Sequence, residues 1–406
     1  MYPILAKPYK LKNKIQNYEW GTKNEQAFIP KMLGIRAEKD VPYAELWIGS
    51  HPKSPSEIEI NGHWISLHDA IKHSPELILG KSVYQKFGPQ LPFLLKVLSA
   101  AKALSIQLHP NKKQAEELHR KDSKNYPDNN HKPEIAITLD HLQALAGFLL
   151  ITDIRKNLTL HPEIAAFAGK ESVDAVLSAE NEKSAEESVK KLYSAIMNQA
   201  ENTERLTTVI PKMVERLSLS GSHSEADLQF LNQYRLFGSD VGLFSFYFFN
   251  LLDLKPGQAI FTDAGIPHAY IGGNIIECMA NSDNVVRAGL TPKFKDVSTL
   301  LDILVYTFSP FDILNKNQQM DQFVYKTTSP EFEVTGYNKK ATFSVAMSSQ
   351  NKPFIGLITD GGLSVSWLGE SVRFEKGESF LIPACLEKFT IHSESQVSFY
   401  TVTVPE

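Results

Sequence analysis

Ser105-Ile106-Gln107-Leu108-His109-Pro110 alternates polar and apolar residues and then stops at a proline. In an extended strand successive side chains point to opposite faces, so Gln107 and His109 share one face while Ile106 and Leu108 share the other. One face is apolar and the other carries atoms able to ligate a metal. Pro110 has no N–H to give to a ladder and marks the end of the strand, where a functional side chain can meet a cavity.

Two more stretches widen this reading. His131-Lys132-Pro133-Glu134 runs into the strand-like Ile135-Ala136-Ile137-Thr138, and Gly265-Ile266-Pro267-His268-Ala269-Tyr270 follows another strand-like run. Together the three stretches supply two imidazoles, a carboxylate and an amide oxygen. That set suits a borderline divalent cation, zinc first, because imidazole and carboxylate are its usual non-thiolate ligands. The chain has 12 histidines, and a strand-end Gln-x-His is common on ordinary surfaces, so the weight lies in the three stretches taken together.

Read with their neighbours, these stretches resemble the signatures of type I mannose-6-phosphate isomerases. The resemblance rests on Gln107-Leu108-His109-Pro110, on Tyr126-Pro127-Asp128-Asn129-Asn130-His131-Lys132-Pro133-Glu134, and on His268-Ala269-Tyr270 through Glu277 to the run Asn281-Ser282-Asp283-Asn284-Val285-Val286-Arg287-Ala288-Gly289-Leu290-Thr291-Pro292-Lys293. It extends over nearly the whole chain and includes Tyr18-Glu19-Trp20-Gly21 and Ala44-Glu45-Leu46-Trp47. The resemblance implies one zinc ion held by Gln107, His109, Glu134 and His268, and an active-site role for Arg287. It implies interconversion of mannose 6-phosphate and fructose 6-phosphate, serving GDP-mannose supply or mannose use.

Composition bounds the alternatives. The 406 residues are 42% hydrophobic and 22% charged, as in an ordinary soluble globular protein of two or three domains. A formal net charge of -4 gives no global attraction to nucleic acid or anionic membrane, so recognition of a sugar phosphate must come from a local cluster. Cys278 and Cys385 are the two cysteines, which argues against a disulfide framework and for a reducing compartment. Met1 to Lys14 lacks the apolar core of a signal peptide, so the expected location is the cytoplasm; the expected state is a monomer. The most apolar run, Val241 to Leu254, is too short to cross a bilayer and reads as buried strand.

In chain order, residues 1 to about 150 carry short strand-like runs, an Asn61-Gly62 hairpin signal and short helical patterns at Leu67 to Ile71 and Lys113 to Lys121. From about Asp153 to Leu236 the pattern turns helical. Val189, Leu192, Tyr193 and Ile196 form an amphipathic stripe, and Glu186 and Glu187 stand four residues before Lys190 and Lys191. Strand patterns resume from Asp240. Aligning Gly257 with Gly377 suggests an internal repeat of the kind found in cupin-like barrels, in which Lys388 falls where His268 stands and offers a metal no lone pair. The expected fold is mainly β with an inserted α domain. Its catalytic domain is a discontinuous cupin-like barrel or jelly roll (1–152 and 237–314), followed by a helical insertion (153–236) and a second, metal-free, cupin-like C-terminal β domain (315–406) whose role is structural; strands around Asp360-Gly361-Gly362 belong to it.

Glu277 and Lys132 are the acid/base candidates, because each lies close in sequence to a ligand and is open to a pKa shift by burial and neighbouring charge. Arg287 and Lys293 are candidates for holding an enediolate or a phosphate. Tyr270, Asp283, Ser105, Lys96, Trp20 and Glu45 come from the resemblance as substrate contacts, and His131 either orients its loop or touches substrate. The rival readings are a cupin oxygenase using His109, Glu134 and His268, and a sugar-phosphate-binding protein without turnover.

Overall fold

A computed structural model describes residues 3–315 and 320–406. Residues 1–2 and 316–319, which the expected boundaries of the first and last domains include, lie outside the described residues. The architecture is mixed α/β, with antiparallel sheets of eight, nine, four and two strands among the described residues. Among the described residues, six α-helices follow one another from Ile151–Leu160 to Glu225–Phe237 with no strand between them. Among the described residues no helix is long and apolar enough to cross a membrane.

The alternation at residues 105–110 is realised as the short strand Ile106–Leu108. Ile106 and Leu108 are fully buried and join one apolar cluster with Phe148, Val189, Leu192, Tyr193 and Phe244. The back of the ligand-bearing strand is therefore a wall of the core that the helical segment completes. In that segment the stripe Val189, Leu192, Tyr193 and Ile196 is buried along the helix Glu182–Met197, whose first turn is capped by Asn181. The expected Glu186–Lys190 pairing does not form among the described residues. Lys190 instead lies over the Tyr306 ring at 5.8 Å, a cation–π contact.

The apolar run Val241 to Leu254 corrects the strand expectation. Val241–Tyr247 is a 3-10 turn and only Phe249–Leu254 is a strand. Continuous burial carries no periodicity from which to choose between the two. What decides it is Asp240, whose carboxylate accepts the N–H groups of Gly242 and Leu290, both at 2.7 Å. That pins the start of the turn against the Gly289–Leu290 segment, where Gly242 and Gly289 meet backbone to backbone and leave no room for a Cβ.

The feature that builds the site is one long strand pair. Glu134–Phe148 runs antiparallel to His268–Ala280, with Glu134 opposite Met279 at one end and His268 opposite Ala146 at the other. On a straight strand Glu134 and Ala146 would stand about 40 Å apart, yet His268 Nε2 lies 2.9 Å from Glu134 Oε1. The pair must fold over on itself. It does so where the register slips, between Thr138 and Leu142, and at Gly273, whose φ of 132° and contact with the His141 carbonyl exclude any side chain.

Asn61 and Gly62 have φ of 51° and 78° and join Glu57–Ile60 to His63–Ser66, as the hairpin signal requires. Asp360-Gly361-Gly362 behaves differently. Phe354–Asp360 pairs with Ser379–Ile382 and Val397–Thr403, whereas Gly362–Trp367 pairs with strands of another sheet, so the chain changes sheets at this corner. The strands Tyr9–Lys12, Glu57–Ile60 and His63–Ser66 extend the C-terminal sheet through Ser379–Ile382, so hydrogen bonding is continuous from the N-terminal part into the C-terminal part. Gly257 and Gly377 adopt φ of 81° and 82° and each precedes a four-residue strand. His268 then opens the strand His268–Ala280 just as Lys388 opens Lys388–Ser393.

Candidate metal centre and active site

Three strands and one loop bring the ligand atoms together. Gln107 is the register partner of both His268 and Arg287, so these three side chains lie in one row across the sheet. His109 follows two residues on, fully buried, and Glu134 reaches it from the other end of the folded strand pair. One ligand atom from each of His109, Glu134 and His268 lies within 4.8 Å of the others. His109 Nε2 is 3.4 Å from Glu134 Oε2. The turn that delivers His268 is tied to His109 directly, since Gly265 N–H donates to the His109 carbonyl at 2.8 Å.

The protonation pattern is set from outside. Nδ1–H of His109 donates to the Asn284 carbonyl at 2.7 Å, and Nδ1–H of His268 donates to the Ile266 carbonyl at 2.9 Å. In the neutral ring this leaves the lone pair on Nε2, and both Nε2 atoms face a carboxylate. Nε2 of His109, Nε2 of His268 and Oε2 of Glu134 are buried without a well-directed hydrogen bond. Acceptors facing acceptors in a buried space are costly unless a cation lies between them. Burial, aided by Lys132, pushes His109 down to about 4, which keeps its imidazole neutral. Burial alone would raise Glu134, but the Lys132 ammonium draws it well below the ordinary carboxylate range.

A second cluster adjoins the first. Glu277 lies opposite Lys96 and Ala136 in the sheet, and Lys96 Nζ is 2.9 Å from Glu277 Oε2 and 3.7 Å from Glu45 Oε2. All three residues are buried. Burial opposes the lysine's charge, yet Glu277, Glu45 and Glu134 raise its pKa and keep it protonated. Glu277 is raised by burial, against the pull of Lys96 and with the help of Glu134. Lys132 Nζ lies 3.0 Å from Glu134 Oε2, and Tyr270 Oη donates to Glu134 Oε1 at 3.4 Å.

The remaining candidates divide. Ser105 Oγ donates to Gln107 Oε1 at 3.4 Å, Trp20 packs in the cluster that contains Tyr270, and Glu45 accepts from the Trp47 indole N–H. Arg287 is half-buried, and burial lowers its pKa. Asp283 is engaged by Lys53 at 2.7 Å, and Lys293 is exposed with its backbone N–H on Thr291 Oγ1. Neither of these two is drawn into the buried cluster. His131 is held by Glu331 of the C-terminal part at 2.7 Å, so that part reaches the loop carrying Lys132 and Glu134. The supporting carbonyls of Asn284 and Ile266 went unread in the sequence, because backbone acceptors leave no trace in residue identity. Asp128 bonds to the loop of Ser282, Asp283 and Asn284, and its own motif carries no sign of that partnership.

Fold and site together define a β-rich protein with a buried two-histidine, one-carboxylate centre beside a lysine–glutamate cluster. Residues 9–150 match the family model described as phosphomannose isomerase type I, catalytic domain. The chain is 37% identical over 396 residues to mannose-6-phosphate isomerase 2 of Arabidopsis thaliana, covering 93% of this chain and 89% of that one. It is 36% identical over 407 residues to mannose-6-phosphate isomerase of Saccharomyces cerevisiae, covering 93% and 94%. Among solved structures it is similar, at 30% identity and a TM-score of 0.85, to a zinc-bound mannose 6-phosphate isomerase, covering 98% of this chain and 100% of that one. A mutant of phosphomannose isomerase from Salmonella typhimurium is alike at the same TM-score and identity over 98% and 99%. The chain belongs to the type I mannose-6-phosphate isomerase family.

Proposed function

We propose that this chain is a zinc-dependent aldose-ketose isomerase that interconverts mannose 6-phosphate and fructose 6-phosphate through an enediol. The observation that carries the reading is the convergence of two buried Nε2 atoms, neither with a hydrogen-bond partner, on the Glu134 carboxylate, 2.9 and 3.4 Å away. This donor set fits zinc, and His109, Glu134 and His268, with Gln107 beside His268 in the sheet, would hold it. When bound, the ion supplies Lewis-acid stabilisation of charge developing on the sugar oxygens.

The chain's own groups do the rest. Glu277, raised by burial, takes the proton next to the carbonyl and returns it to the neighbouring carbon, with Lys96 holding its orientation. Lys132 places a positive charge at the edge of the site, and Arg287, in the row with Gln107 and His268, faces charge that develops on the substrate. Lys293, Tyr270, Asp283, Ser105, Trp20 and Glu45 complete the proposed substrate surround.

We read the folded-over strand pair and the repeated Gly257 and Gly377 units as cupin-like. The domain division at 152, 236 and 314 and the metal-free C-terminal part belong to this proposal, as do a monomeric state, a cytoplasmic location and a role in GDP-mannose supply. A coupled assay for fructose 6-phosphate formed from mannose 6-phosphate under anaerobic conditions tests the function. Turnover without oxygen is expected. No conversion by zinc-loaded protein would overturn the reading in favour of an oxygenase or a non-catalytic binder.

A further inference from the structure

Asp128 belongs to neither the ligand set nor the proton-transfer group. Its carboxylate nevertheless gathers donors from two loops far apart in sequence. Oδ1 accepts the Asn130 N–H at 2.9 Å, the Ser282 hydroxyl at 2.8 Å and the Asn284 amide at 3.1 Å, while Oδ2 accepts the Asp283 N–H at 2.7 Å. Asn284, fully buried, answers by donating from the same amide to the carbonyls of Asp128 at 2.7 Å and Asn130 at 2.9 Å. One loop leads on to Lys132 and Glu134. The other carries the Asn284 carbonyl that accepts Nδ1–H of His109.

We propose that Asp128 is a positioning residue that locks these loops together, fixing at once the carbonyl that sets the tautomer and aim of His109 and the approach of Glu134. The inference rests on the zinc reading above. A ligating imidazole depends on the acceptor at its far nitrogen, and loss of such a support weakens metal affinity about 10–100-fold. If the Asn284 carbonyl drifts, Nδ1–H loses its acceptor, and the ring can rotate or change tautomer with its lone pair no longer facing Glu134.

The test is zinc affinity of the full chain, measured by competition with a chromogenic chelator. Wild type is measured first, and failure to take up zinc there overturns the proposed function itself, before any variant is compared. Asp128→Asn keeps the shape but puts an amide N–H₂ against one of the donors. It is expected to bind zinc about 10–100-fold more weakly, while Asp122→Asn, at a carboxylate that accepts from Asn125 outside the two joined loops, binds as wild type does. A purely structural role would lower resistance to urea without moving the zinc affinity of the folded protein, and that result overturns the inference. Should Asp128→Asn fail to fold, Ser282→Ala removes one donor. Weaker zinc binding in that variant supports the inference, and unchanged binding refutes it.

Discussion

Replacing Arg287 by alanine separates chemistry from architecture. The side chain sits in the row formed by His268, Gln107 and Arg287. Among the described residues its guanidinium has no carboxylate partner, so burial lowers its pKa without an ion pair to offset the effect. Lys96 is the contrast, because its removal would strand Glu277 in the interior at a cost of about 3–5 kcal/mol. Arg287→Ala strands nothing, and unfolding free energy should change by no more than about 1 kcal/mol. Zinc content should be unaltered. A preorganised donor aimed at developing negative charge contributes about 2.7–4 kcal/mol to the transition state, which at 1.36 kcal/mol per decade is a roughly 100- to 1,000-fold fall in kcat. The coupled isomerase assay, run over a range of mannose 6-phosphate concentrations, separates kcat from KM. If Arg287 instead grips the phosphate in ground and transition state alike, KM carries the loss. Arg287→Lys keeps the charge and loses the planar fork, so it should recover only part of the rate. Wild-type turnover in Arg287→Ala removes the residue from the mechanism, and a zinc-free or unfolded variant makes its role structural.

Other outcomes follow from the same geometry. Gly273→Ala places a Cβ against the His141 carbonyl at a φ of 132°; strain of about 1–3 kcal/mol plus the clash should show as a lowered urea midpoint together with lost zinc. Charge reversal at Glu186 or Lys190, on the helix Glu182–Met197, should leave turnover within a small factor, and a large loss at unchanged stability would mean that this helix closes over the site. Arg216 holds Glu163 through bonds of 2.6 and 2.9 Å. Burial would raise that carboxyl, but the guanidinium draws it below its ordinary value. A lowered folded pKa stabilises above the unfolded value of about 4.3 and ceases to do so as pH falls through the folded one. The gap in Tm between wild type and Glu163→Gln should therefore be open at pH 7 and close in acid.

What the sequence disclosed was local. Ile106 and Leu108 turn to the core and Gln107 to the ligand row because strand alternation is a two-residue rule, and the Val189 stripe and the Asn61-Gly62 turn are equally short-range. The fold-over of Glu134–Phe148 upon His268–Ala280 was not legible. It depends on a register slip and on Gly273, and no periodicity announces that the ends of a strand pair will meet. Val241 to Tyr247 misled because burial on every side removes the alternation by which a strand is known. Asp360-Gly361-Gly362 has the residues of a turn and serves a change of sheet, since turn chemistry fixes the backbone and not the partners. Lys293, placed among the phosphate candidates, stands exposed, and no pattern in the sequence gives the direction of a loop side chain. Asp128 and Asn284 lie in separate motifs, and only tertiary structure makes them neighbours.

The central claim is that His109, Glu134 and His268 hold zinc through nitrogen and oxygen alone. X-ray absorption at the zinc edge of the purified protein, with metal content measured in parallel, tests it most directly. The account predicts about one zinc per chain, a coordination shell of nitrogen and oxygen with two imidazoles and no sulfur, and loss of the metal in both His109→Ala and His268→Ala but not in His392→Ala, on the C-terminal strand Lys388–Ser393 away from the ligand cluster. Full zinc retained in the first two variants, or a sulfur atom in the shell, would contradict it.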